Sequence, residues 1–101
     1  MDIKDLQEIQ RQLDKTYWPH RNLPDPEKIK HVALHMGELV KKLSTYCEQC
    51  RYGYKASLTE IRKEVIPNLL SHSLRLSNLL NEEIEPLYQN RLTKLKEKLK
   101  S

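Results

Sequence analysis

One hundred and one residues, 38% hydrophobic and 32% charged, make at most one domain with a thin single-copy core. No stretch nears the roughly 18–20 uninterrupted apolar residues of a membrane span, and only two glycines with no Val/Ile/Thr alternation exclude a hairpin-built fold. The formal charge of +4 sits in the last sixteen residues, where Arg91, Lys94, Lys96, Lys98 and Lys100 face only Glu97, while acids and bases cancel over residues 1–85.

The first helix is predicted over residues 2–15, with Asp2 as N-cap and Ile3, Leu6, Ile9 and Leu13 at helical spacing. The segment YWPHRNLPD breaks it, since Pro19 and Pro24 both oppose helix continuation. A second helix is predicted over 26–51, with Asp25 as cap, Pro26 in the first helical position and Glu27 at the positive dipole end. Ile29, Ala33, Met36, Val40, Leu43, Cys47 and Cys50 then alternate steps of four and three, an apolar seam flanked by Val32, Leu39 and Tyr46. Such a seam calls for a partner along its length, and Gly53 is placed to end it.

The third helix, predicted over 58–80, opens on a capping-box pattern from Ser57 to Glu60. Its face is Leu58, Ile61, Val65, Leu69, Leu76 and Leu80, with Ile66 and Leu79 beside it. Pro67 falls inside it, removes the bond to the Lys63 carbonyl, and predicts a kink. The fourth helix, predicted over 84–99, carries Ile84, Leu87, Tyr88, Leu92, Leu95 and Leu99, with Pro86 in its first turn. The fold expected is all-α: an antiparallel four-helix bundle completed by oligomerisation. With MDIKDLQEIQ lacking the apolar core of a signal peptide, the expected location is cytoplasmic. The basic tail reads as a solvated helix end favoured by the dipole. Without interleaved aromatics or a helix-turn-helix pattern, nucleic acid is not an expected partner, and neither is a membrane.

At 100° per residue, His31, His35, Glu38 and Lys42 line one edge of the second helix. Glu64, Asn68 and Arg75 line the corresponding edge of the third, with Glu60 and His72 close by. Antiparallel pairing through the seams sets these rows facing each other across a trough. Helices presenting metal-ligand side chains three or four apart are how bundles build ion sites.

The strings HVALHMGELVKKL and EIRKEVIPNLLSHSLRLSNLLNEEIEPLYQNRL resemble the MazG-like nucleotide pyrophosphohydrolases, an all-α superfamily, over roughly residues 20–95. Its members carry E-x-x-E in an ELGEL-type string on one helix and E-x-x-D in an ELADVL-type string on the next. They hydrolyse nucleoside triphosphates to monophosphate and pyrophosphate with Mg²⁺ held by those four acids, and commonly form dimers or tetramers. The resemblance implies Glu38 and Glu64 as ligands retained. His35 stands where the first Glu would be, and Pro67 where the Asp would be, with Asn68 beside it, so His35 and Asn68 are the replacement ligands. It also places Arg91 near the phosphates, while Trp18 and Arg21 of YWPHR are candidates to stack on a base or clamp phosphate. The implied protein is a homodimer or homotetramer that binds nucleotide and Mg²⁺, with Mn²⁺ or Zn²⁺ as alternatives, and that hydrolyses weakly or not at all. The catalytic residues are not identified.

Two other readings stay open. His31, His35 and Glu38, approached by His72 and Glu64, suit Zn²⁺, Mn²⁺ or Fe²⁺ better than Mg²⁺. The chain is otherwise a non-enzymatic oligomerisation or partner-binding module. Cys47 and Cys50 read as small hydrophobes in the seam, and no nucleophile elbow or phosphate-cradling glycine loop is present.

Overall fold

Asp2 and Asp5 start the first helix by satisfying each other's backbone. Asp2 accepts from the Asp5 N–H at 3.0 Å and Asp5 from the Asp2 N–H at 3.3 Å. The computed structural model describes the backbone of residues 1–51 and 58–100 and the side chains of 1–46 and 58–100. Helix α1 spans Ile3–Tyr17, and α2 spans Asp25–Arg51. The first helical hydrogen bond of α2 runs from the Lys28 N–H to the Pro24 carbonyl at 3.0 Å. Pro24 rather than Asp25 is therefore the capping residue, and Asp25 instead pairs with Lys28 at 3.5 Å. The predicted end of α2 at Gly53 and the capping serine, Ser57, lie outside the described residues.

Helix α3 runs over 58–79 in three contiguous pieces: Leu58–Glu60, a π-helical turn at Ile61–Val65, and Ile66–Leu79. The Ile66 N–H reaches back five residues to the Ile61 carbonyl. The predicted disturbance at Pro67 thus takes the form of a widened turn just before the proline, which absorbs the missing N–H without ending the helix. Asn81, at φ 56°, terminates α3. Its N–H bonds the Asn78 carbonyl at 3.2 Å and the Glu82 N–H bonds the Ser77 carbonyl at 2.9 Å, a Schellman motif with asparagine in the left-handed position. Helix α4 follows at Ile84–Lys100, with Pro86 in its first turn as expected.

The chain is all-helical, without strands among the described residues. Helices α1 and α2 both pack against α3, and α4 packs against α1. Lys42 stands opposite Glu60 and Glu64, and His35 opposite His72, so α2 and α3 are antiparallel. Among the described residues the buried apolar core is Trp18, Val32, Leu39, Val65 and Leu74, with Gln7 and Ser77 buried beside them. No described helix is long and apolar enough to cross a membrane.

The packed faces differ from the predicted seams. On α1 the inward residue is Gln7, while Leu6, Ile9 and Leu13 are 37%, 44% and 49% exposed. On α2, Val32 and Leu39 are buried and Ala33 and Val40 exposed, so the packed face is the flank of the seam. The reason on α1 is polar pairing. Gln7 donates to Asn78 Oδ1 at 2.9 Å and to the Glu82 carbonyl at 2.8 Å, and its Oε1 accepts from the Ile84 N–H at 3.0 Å. One α1 side chain thereby joins the end of α3 to an otherwise unsatisfied N–H at the start of α4.

Candidate functional site

The polar edges of α2 and α3 do meet, but a lysine lies between the acids. Lys42 Nζ is 2.9 Å from Glu64 Oε2 and 3.4 Å from Glu60 Oε1. The hydrogen bond to Glu64, its charge and the second bond to Glu60 raise the Lys42 pKa above its ordinary value. The ammonium thus sits between the Glu60 and Glu64 carboxylates and balances their charge. Repulsion between Glu60 and Glu64, one helical turn apart, is relieved internally.

The four predicted ligands divide. His35, Glu38 and Asn68 line a shallow trough of about 400 Å³ with Trp18, His72 and Arg75. Glu64 is engaged by Lys42. Within the trough, His35 Nδ1 lies 3.7 Å from Glu38 Oε2. The arrangement does not fit Mg²⁺, which needs oxygen-rich, anionic ligands to offset its dehydration. Of the residues carried over, one carboxylate is neutralised by an ammonium and another faces an imidazole.

Of the three substrate-binding candidates, Trp18 and Arg21 line one cavity of about 350 Å³ together, and Arg91 lies apart from them. Trp18 is buried, with the Arg75 guanidinium 4.6 Å above its ring, so its face is occupied from within the protein. Arg21 donates to the Trp18 carbonyl at 3.0 Å, bracing the loop between α1 and α2. Arg91 is exposed on α4, the helix that packs against α1 rather than along the trough.

The structure adds an ion pair and a histidine cluster. Arg75 Nε and Nη2 bind Asp14 Oδ2 and Oδ1 at 3.0 and 2.9 Å, a bidentate pair between α3 and α1. Arg75 Nη1 lies 3.1 Å from His72 Nδ1. Since arginine can only donate, His72 Nδ1 accepts and its proton is on Nε2. Burial and the neighbouring Arg75 and His35 push the His72 pKa down, against a smaller opposing pull from Asp14.

All four histidines of the chain gather here. His20 and His31 stack with ring centroids 3.7 Å apart and planes 8° from parallel, and His35 and His72 stack at 5.5 Å. Trp18 meets His20 edge-on at 5.8 Å. The His20 pKa is lowered by desolvation first, then by His31, His35 and Arg75. His31 and His35 stand one turn apart, as the sequence indicates. His20, from the loop, was missed, and its only signal was a position two residues after a tryptophan that anchors the loop.

No family model matches this chain, and no curated protein or solved structure matches it. The functional reading therefore rests on the site itself. Chemically, the trough offers imidazole nitrogens bordered by cations already paired with carboxylates. That does not suit polyphosphate-bound magnesium.

Proposed function

We propose that this chain is a MazG-like helical module that has exchanged magnesium chemistry for internal ion pairing, and that acts as a self-associating, non-hydrolysing scaffold. The GEL and RLSNLL strings and the antiparallel pairing of α2 with α3 support the kinship. The observation that carries the non-hydrolytic reading is Lys42, bonded to Glu64 and Glu60. In metal-dependent phosphoryl chemistry the ions neutralise developing charge and activate water. A lysine in their place can do the first only in part and the second not at all.

Self-association is supported by surface area. The chain exposes 8009 Å², against about 6,000 Å² for a compact folded monomer of 12.0 kDa. Its radius of gyration is 16.2 Å, where about 13 Å is usual for a hundred residues. The surplus of about 2,000 Å² exceeds the roughly 800 Å² each partner contributes to a standard interface. The exposed residues include the α1 stripe Leu6, Ile9, Leu13 and Tyr17, about 100° around the helix from its packed face. A second copy is the fitting occupant, because residues 1–85 carry no net charge and two copies meet without mutual repulsion.

Incubation of the full chain with mixed nucleoside triphosphates and Mg²⁺ or Mn²⁺ tests the catalytic half. Pyrophosphate release is expected to stay at background. Release that disappears in Glu38→Gln overturns the reading.

A further inference from the structure

We propose that His20, His31 and His35 form a binding site for a borderline divalent transition metal of the Zn²⁺ or Co²⁺ class. The inference rests on side-chain convergence and is independent of whether copies associate. His31 and His35 are four residues apart on α2, which puts both rings on one face, one turn apart. Histidines at this helical spacing are an established way to hold zinc. His20 approaches from the loop before α2, and one nitrogen from each ring lies within 4.8 Å of the others.

A tetrahedral ion with Zn–N bonds of about 2.0–2.1 Å sets its nitrogen ligands roughly 3.4 Å apart. The nitrogens must therefore close by little more than an ångström. The His20–His31 stack must also open, because each imidazole lone pair lies in its ring plane and the two planes are 8° from parallel. Rotation about the side-chain torsions supplies this, because His35 is exposed and His20 and His31 are only half-buried. Among the described residues, no hydrogen bond fixes the His20 or His31 ring. Neutral imidazole is the form that donates a lone pair to a metal.

The surroundings favour nitrogen-seeking ions over hard ones. Glu38 Oε2 lies 3.7 Å from His35 Nδ1 and sets a negative charge beside the cluster, which favours a divalent cation there. The nearby cations do not oppose a divalent ion strongly, because Arg75 is neutralised by Asp14 and Lys42 by Glu60 and Glu64. The loop bearing His20 is already anchored. Trp18 is buried beneath Arg75, and the Leu23 N–H bonds the His20 carbonyl at 3.1 Å. Three protein ligands leave a fourth position for water or an outside donor.

The test is titration of the chelator-stripped full chain with Co²⁺, followed by visible absorption, and with Zn²⁺, followed by calorimetry and thermal unfolding. One ion per chain is expected, with the ligand-field bands of four- or five-coordinate Co²⁺ displaced by Zn²⁺. Zn²⁺ should also raise the unfolding temperature. His20→Gln, His31→Gln and His35→Gln should each weaken binding by at least about tenfold, whereas His72→Gln should change it less than about twofold, because its Nδ1 already serves Arg75. The Cys47→Ser/Cys50→Ser variant should bind as the parent does. Circular dichroism on every variant separates lost ligands from lost fold. The proposal is overturned if neither ion produces a signal, if the three histidine variants bind normally while folded, or if the cysteine variant abolishes binding.

Discussion

Arg75→Ala is expected to destabilise the fold by about 2–4 kcal/mol, a fall of the order of 10–20 °C in unfolding temperature for a domain of this size. The Arg75 and Asp14 side chains are only 14% and 15% exposed and share two charge-assisted hydrogen bonds. Truncating Arg75 leaves the Asp14 carboxylate largely shielded from water with the Gln10 amide as its remaining donor, so most of the cost is an under-solvated carboxylate rather than a lost attraction. The same guanidinium covers Trp18 and donates to His72 Nδ1, so its removal also uncovers the indole and leaves the ring without its partner. Arg75→Lys keeps the charge but not the planar fork, and should recover only part of the loss. The combination Asp14→Leu with Arg75→Met removes both charges and should unfold at a higher temperature than either single variant. Thermal and chemical denaturation of these variants beside the parent protein checks this. A cost below about 0.5 kcal/mol for Arg75→Ala would mean the pair behaves like an ordinary surface salt bridge.

Gln7→Ala carries the second large effect, about 2–3 kcal/mol, with a localised signature. Gln7 is 5% exposed, and its amide serves Asn78, the Glu82 carbonyl and the Ile84 N–H together. Removing it strips a capping interaction from the start of α4 and leaves the Ile84 N–H and the Glu82 carbonyl without this partner, while Asn78 Oδ1 keeps Arg11. Hydrogen exchange should show α4 losing protection first while α2 and α3 stay closed to exchange, since α4 packs chiefly on α1. Gln7→Glu should not rescue it, because a carboxylate cannot donate to the Glu82 carbonyl. Uniform loss of protection across all helices would instead make Gln7 part of a single cooperative core.

Much of the helical frame was readable because it is written in local chemistry. Asp2 with Asp5 opens α1, Pro19 and Pro24 bound the loop, and Pro86 sits in the first turn of α4. Even Pro67 announced its disturbance, although a π turn rather than a simple kink accommodates it. The faces were not readable to the same extent. Reading apolar stripes as inward fails on α1, where the contacts that decide its orientation join residues far apart in sequence. Gln7 with Asn78 and Asp14 with Arg75 are pairs no local pattern reveals.

Lys42 shows the same limit at the candidate site. It stands four residues after Glu38 on one helix edge, yet antiparallel packing sets it against Glu60 and Glu64 from α3. The RLSNLL string acquires a structural purpose alongside any kinship. Arg75 grips Asp14, Ser77 is buried, and Asn78 accepts from both Gln7 and Arg11. Those identities hold α1 against α3, whatever becomes of a nucleotide.

Sedimentation equilibrium of the full chain over a range of micromolar concentrations reaches the scaffold reading most directly. The surplus surface predicts a mass at least twice 12.0 kDa. Folded Ile9→Lys/Leu13→Lys, with charge placed in the exposed α1 stripe, should shift it toward the single chain. A wild-type protein that remains at 12.0 kDa throughout would contradict the account, because its exposed helix faces would then be stable in water without a partner.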